Sequence, residues 1–183
     1  LQKDLKITAV QPLSALRASH RSQCRAKAAN LGEVQRAAIA GVSVPDGFCL
    51  PFGAYANAMA QWGLAEKMAR MQQLPGFDSD PAVRRGALAR LRAEIEHMPL
   101  DASLTRSWQQ RWASQLKNAG VFVRSSSSSE DLPGFSGAGL YTTVPNVQAS
   151  SGEQALPDAV RKVWASVFNF EAWEARRAAG ITQ

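Results

Sequence analysis

Residues 121–147 restrict what this chain can fold into more than any other stretch. Val121-Phe122-Val123 is a short apolar run of strand-forming residues, expected as a core strand, and it delivers Arg124 directly into five serines, Ser125 to Ser129. Glu130-Asp131-Leu132-Pro133-Gly134 then reads as a turn, and a second extended segment is expected over about Leu140 to Val144. A serine run alone suggests a flexible linker, but linkers rarely sit so tightly between strand signals. The residue types suit an anion site instead. Arginine keeps its charge, and its fork can pair two phosphate oxygens. Serine hydroxyls add neutral donors, and Gly134, Gly137 and Gly139, with Ala138 between, let backbone approach a ligand without Cβ clashes. Spacing alone leaves a surface turn capped by arginine equally open.

The remaining patterns place this segment among helices. Leu31, Val34 and Ala38 fall at helical spacing within 27–40, and Gly41 is placed to end that helix. Pro45-Asp46-Gly47 signals a turn, followed by the apolar run Phe48-Cys49-Leu50 and a helix over about Ala54 to Gln61. Gln72 to Asp80 reads as a loop. Asp80-Pro81 is a cap followed by proline at the first helical position, opening a helix with Val83, Leu88, Leu91, Ile95 and Met98 on one face. Asp101 caps another, with Leu104, Trp108, Trp112 and Leu116 inward. Residues 155–168 form a helix burying Leu156, Val160, Val163, Trp164, Val167 and Phe168, and a last helix over about Phe170 to Ala179 stops at Gly180. In the lead segment 1–26, Leu5, Ile7 and Val10 offer a short strand. The expected fold is α/β, or α+β by stricter accounting, with a small sheet flanked by helices and a helical subdomain over 64–119.

Charge and cysteine content narrow the function classes. The net charge of +6 leaves polyphosphates, nucleic acid and acidic surfaces open as partners. Arg17, Arg21, Arg25, Lys27, Arg84, Arg85, Arg90 and Arg92 are scattered and do not interleave with aromatics as a single-strand-binding groove requires, so most read as a solvated basic surface. No run approaches the roughly 18 apolar residues of a membrane span, and Leu1 to Lys6 does not resemble a secretory signal. Cys24 and Cys49 are too few for a disulfide scaffold and lack zinc-site spacing, so both are expected as small buried residues in a reducing, cytoplasmic setting. His20 and His97 sit in no catalytic motif.

The segment VRSSSSSEDLPGFSGAGLYTTVPNV resembles the VRSS…EDLP…S-x-AG…T-x-x-NV signature of the phosphoenolpyruvate synthase family, which includes pyruvate phosphate dikinases and the glucan and phosphoglucan water dikinases. Ser136, Ala138, Gly139, Thr143, Asn146 and Val147 fall on that pattern. Lys27-Ala28-Ala29-Asn30-Leu31-Gly32 is similar to the family's K-A-x-N-L-G, and Gly41 to Phe48 to its G-V-x-V-P-x-G-F. Val163-Trp164-Ala165-Ser166 with the Arg176-Arg177 region resembles its V-W-A-S…R segment. Arg25-Ala26 stands where the family usually has a glycine pair.

The resemblance implies the N-terminal part of an ATP-grasp nucleotide-binding domain, with the rest of a longer parent protein elsewhere. It implies ATP as the ligand, with Lys27 and Arg124 contacting its phosphates as the catalytic residues. Ser125, Ser136, Gly137, Ala138, Gly139 and Thr143 would lie over or beside the phosphates. It also implies Mg²⁺, with ligands outside this chain, and as partners the phosphohistidine and acceptor domains of a parent that passes phosphate from ATP through an enzyme histidine to pyruvate, a glucan or another acceptor. No nucleic-acid or membrane partner is expected. Two rival readings are a non-catalytic module that binds nucleotide or a partner, and nucleic-acid binding driven by the basic charge, which would weaken steeply with salt.

Overall fold

A computed structural model describes residues 3–126 and 137–181 of the chain. In chain order its regular elements are β1 (Gln11–Pro12), α1 (Arg21–Ala37), β2 (Phe48–Cys49), α2 (Phe52–Gln61), α3 (Leu64–Gln72), α4 (Pro81–Glu96), α5 (Ala102–Leu116), β3 (Val121–Arg124), β4 (Thr143–Val147), α6 (Ala155–Ala165) and α7 (Phe170–Ala178), with short 3₁₀ turns between some of them. Two antiparallel two-stranded sheets, β1–β2 and β3–β4, make this an α+β fold. The described residues divide into two compact units, one of 3–58, 101–119 and 126, the other of 59–100, 120–125 and 137–181. The helices of 64–119 are shared out: α3 and α4 belong to the second unit and α5 to the first.

In the first unit the buried face of α1 carries mostly small residues. Ala29 on α1 is 0% exposed, and a Cβ at Gly32 would lie 2.5 Å from the Leu13 carbonyl oxygen and 2.7 Å from that of Leu16. Backbone-to-backbone approach therefore selects the buried face of α1. This corrects the expected apolar stripe: Leu31 is 43% exposed, and the buried positions are Cys24, Arg25, Ala29 and Gly32. Gly41 does not cap the helix either. Ala38 takes the left-handed conformation that ends it, and Gly41 serves a following turn closed by Val42 N–H donating to the Ile39 carbonyl at 3.0 Å. Around α1, Glu33 accepts the Ala18 N–H at 2.8 Å, and this bond, then that of Arg36, holds its carboxyl below the usual range.

The Pro45-Asp46-Gly47 turn is pinned from two directions. Leu13 N–H donates to the Gly47 carbonyl at 2.9 Å, and Gln115 Nε2 donates to Asp46 Oδ1 at 2.8 Å and to the Gly47 carbonyl at 2.9 Å. At the start of α5, Asp101 Oδ1 accepts the N–H groups of Ser103 at 2.8 Å and Leu104 at 3.0 Å, the cap its sequence predicts. Trp108 and Trp112 on α5 are buried, and Trp112 Nε1 donates to the Ala119 carbonyl at 2.8 Å.

In the second unit α4 packs on α6, and β3 and β4 lie against α6. Leu88, Leu91, Ile95 and Met98 meet Leu156, Val160, Val163 and Phe168 in its core, where Phe77 and Trp173 stack edge to face at 5.8 Å. Asp80 Oδ1 caps α4 through the Ala82 N–H at 2.7 Å, with Pro81 at the first position. Arg84, expected as part of a solvated surface, is 3% exposed. Its Nε and Nη2 grip both oxygens of Glu174 at 2.5 and 3.0 Å, and Nη1 donates to the Phe77 and Asp78 carbonyls. A fully served guanidinium can remain charged inside a core, and removing one member of such a pair costs on the order of 3 kcal/mol.

The two cysteines also differ from expectation. They are buried, as expected, but joined in a disulfide, with Cα atoms 6.2 Å apart, that ties α1 to β2. Closing a loop of this length restricts the unfolded chain by about 3–4 kcal/mol. Urea unfolding of the chain with and without a dithiol reductant should differ by about 3 kcal/mol, and thiol labelling of the unreduced native protein should find no free cysteine. Equal unfolding curves, or two reactive thiols before reduction, would show that the bond is not part of the native state.

Candidate functional site

β3 and β4 pair Val121 with Val147, Val123 with Val144 and Arg124 with Thr143, with a register shift between the first two pairs. The shift is a bulge on β4, where Asn146 takes a positive φ of 50°. Side chains alternate along β3: Val121 and Val123 are half-buried, whereas Phe122 and Arg124 are exposed. The strand is thus one-sided, and β4 is its one hydrogen-bonded neighbour among the described residues. Directly opposed residues of an antiparallel pair project to one face, with Cβ atoms about 4.5–5.5 Å apart. Arg124 and Thr143 are such a pair and both are exposed, so a guanidinium and a hydroxyl stand side by side.

The approach to β4 is a tight turn. Leu140 N–H donates to the Gly137 carbonyl at 3.3 Å, and Gly139 has φ +77° with nothing within 4 Å of where a Cβ would stand. Glycine is needed there for its backbone angle and not for space. This turn delays the second strand to Thr143–Val147, three residues later than the start expected at Leu140. Ala138 and Gly139 are exposed and Gly137 is buried. Two side chains that motif reading left without a role hold the turn's exit. Asn169 Nδ2 donates to the Leu140 carbonyl at 2.9 Å. Buried Arg176 donates through Nη1 to the Tyr141 hydroxyl at 3.2 Å and through Nη2 to the Val167 carbonyl at 2.7 Å. The arginine ending the V-W-A-S…R segment is therefore a brace for the turn. Asn169 precedes a helix, but its side chain makes no cap bond; Nδ2 serves Leu140 and Oδ1 accepts from Arg92 Nη1 at 2.8 Å.

Lys27 belongs to the first unit. It is exposed on α1, two residues past Arg25, where the backbone leaves helical geometry at φ 58° and ψ 177° and the helix kinks. Ahead of the kink, the Cys24 carbonyl accepts a hydrogen bond from Ser126 Oγ at 3.0 Å. Several other residues of the K-A-A-N-L-G motif have structural work. Gly32 lies against the carbonyls of Leu13 and Leu16, Ala29 is buried, and Asn30 Oδ1 accepts from Arg21 Nη2 at 3.0 Å.

The expected phosphate contacts thus fall as follows. Arg124, Ser125, Gly137, Ala138, Gly139 and Thr143 are in the second unit, with Arg124 and Thr143 paired; Lys27 is in the first; Ser136 lies outside the described residues. An arginine fork, a hydroxyl and a glycine turn can together take an oxyanion through charge-assisted and neutral hydrogen bonds. Among the described residues no three of His, Cys, Asp or Glu come together as metal ligands. His20 and His97 make local bonds, to Arg17 N–H at 3.0 Å and with the Ala93 carbonyl at 2.8 Å.

Comparison with known proteins places these features in a family. A rifampicin phosphotransferase from Streptomyces sp is 32% identical over 159 residues, covering 85% of this chain and 17% of that protein. The phosphoenolpyruvate synthase of Pseudomonas aeruginosa is 34% identical over 151 residues, 80% of this chain and 18% of that protein, and the Escherichia coli phosphoenolpyruvate synthase is 33% identical over the same length and shares. The chain spans less than a fifth of the length of each of these three curated relatives. Residues 24–183 match the family described as pyruvate phosphate dikinase, AMP/ATP-binding domain, and the chain belongs to that family.

Proposed function

We propose that the chain is the phosphate-handling, N-terminal part of the ATP-binding domain of a dikinase-type phosphotransferase, and that Arg124 and Lys27 hold the phosphates of ATP. The observation that carries this reading is the pairing of Arg124 with Thr143 on an exposed strand face that continues from the Gly137–Leu140 turn. Arg124 supplies a fork of fixed charge, Thr143 and Ser125 supply hydroxyls, and the turn at Ala138 and Gly139 lets backbone come close to phosphate oxygens. Ser136, outside the described residues, would be a further contact. Lys27 adds a compact, mobile charge. Fixed cations aimed at a phosphoryl group are the main lever a protein has on its transfer.

In the parent protein, phosphate would pass from ATP through an enzyme phosphohistidine to pyruvate or another acceptor. Relatives named for rifampicin and for phosphoenolpyruvate match this region at 32% and 34% identity, as expected of an ATP-handling module shared between acceptors. Mg²⁺ would accompany ATP, held by carboxylates outside this chain together with the phosphates. A cytoplasmic setting is part of the proposal. No helix of the described residues is long and apolar enough to cross a membrane. The thiol state of Cys24 and Cys49 in cells tests the setting, because the Cys24–Cys49 bond favours an oxidising compartment and a reducing one would keep the pair open.

In the full-length parent, Arg124→Ala should slow enzyme phosphorylation from labelled ATP by about 10²–10³-fold, as loss of a transition-state charge contact does elsewhere, while the melting temperature stays close to wild type. A rate within about threefold of wild type would refute the assignment of Arg124. Lys27→Ala should raise the ATP concentration needed for half-maximal turnover, and Lys27→Arg should restore it only in part, because the two cations differ in shape and hydration. Full activity in Lys27→Ala would return this lysine to the solvated surface.

A further inference from the structure

Arg25 sits in a backbone conformation that few side-chain-bearing residues tolerate. Its φ of 58° with ψ of 177° lies in a region populated almost entirely by glycine, and such a residue persists only where its surroundings over-determine it. Three contacts do so here. Cys24, the preceding residue, is bonded to Cys49 on β2. The Cys24 carbonyl accepts from Ser126 Oγ at 3.0 Å. The Arg25 side chain itself is folded inward, 8% exposed, with its guanidinium 5.1 Å from the centre of the Phe52 ring. A basic side chain at this position reads in sequence as solvated or as a further phosphate contact. Its burial removes the first reading, and its seat over Phe52 turns the charge toward an aromatic face.

The kink sets the direction in which α1 continues, and Lys27 is exposed within its next turn. We propose that Arg25 is a positioning residue: its contact with Phe52 holds the kink that aims Lys27 at the phosphates of ATP. The inference rests on the assignment of Lys27 above. A guanidinium over an aromatic ring gains more when desolvated than at an open surface, which suits it to hold a conformation that the backbone alone resists. Alanine at this position loses the clamp and keeps the steric objection to positive φ. Glycine loses the clamp and the objection together. Lysine keeps a cation for the ring.

The experiment is a double-mutant cycle on the full-length parent protein, reading KM for ATP and kcat separately beside the thermal midpoint. Arg25→Ala should raise KM for ATP about tenfold with a smaller change in kcat, Arg25→Gly should raise it at most about threefold, and Arg25→Lys should fall between. In a Lys27→Ala background, Arg25→Ala should have no further effect on KM, because a residue acting through Lys27 has nothing left to position. Independent, multiplying effects of the two substitutions would overturn the proposal, as would Arg25→Gly falling as far as Arg25→Ala, which would make Arg25 itself a ligand contact. If Lys27→Ala alone leaves KM unchanged, the assignment of Lys27 fails and the proposal with it, a result distinct from the loss of coupling. Should Arg25→Ala not fold, Arg25→Lys carries the same cycle.

Discussion

Backbone pairing between Val121–Arg124 and Thr143–Val147 decides which side chains of the second unit can act together. Strand side chains alternate with a period of two, so a slip of one residue would send Arg124 to the face now occupied by Val121 and Val123 and part it from Thr143. The register is held from outside the sheet. Val147 is buried where β4 meets α6, and the entry to β4 is fixed by Asn169 on the Leu140 carbonyl and by Arg176 on Tyr141. Arg176 can do this from the interior because Val167 supplies it a carbonyl. Nearby, Arg84 is buried against Glu174 on the same helix as Arg176, α7. Buried arginines thus anchor the frame, while Arg124, the proposed phosphate contact, is exposed.

The first unit answers the same need by another route. There the element that carries the proposed contact Lys27 is a helix, and its path is set by a close backbone contact at Gly32 and by a kink at Arg25 that the disulfide and Phe52 hold from two sides. Small residues on the buried face allow the contact, in keeping with Ala29 and Gly32 in the motif around the exposed Lys27.

Features whose cause is local could be read from the sequence. The caps at Asp80 and Asp101, the strand at Val121, and the buried stripes of α4 and α6 each follow from residues within a few positions of one another. What could not be read depends on partners far along the chain or on conformations a residue type disfavours. Arg84 looks like surface until Glu174, ninety positions away, is known to face it. Leu31 looks like core until the buried side of α1 is seen to be chosen by the backbone at Leu13 and Leu16. The Cys24–Cys49 bond spans 25 positions without a motif, and nothing in the word arginine announces a φ of 58°. The candidate phosphate contacts are of a third kind. Family-like motifs named them, and the structure adds where each stands, with Arg124 and Thr143 opposite one another, Lys27 on a kinked helix and Ser136 outside the described residues.

The central claim is that these residues meet phosphates and not the rest of a nucleotide. Amide hydrogen exchange of the chain at saturating ATP, with AMP as the comparison, tests it most directly, because AMP lacks the two terminal phosphates. The account predicts slowed exchange at residues 137–143 and 26–28 with ATP and clearly less with AMP. Equal protection by the two nucleotides at these positions, or none with either, would contradict it.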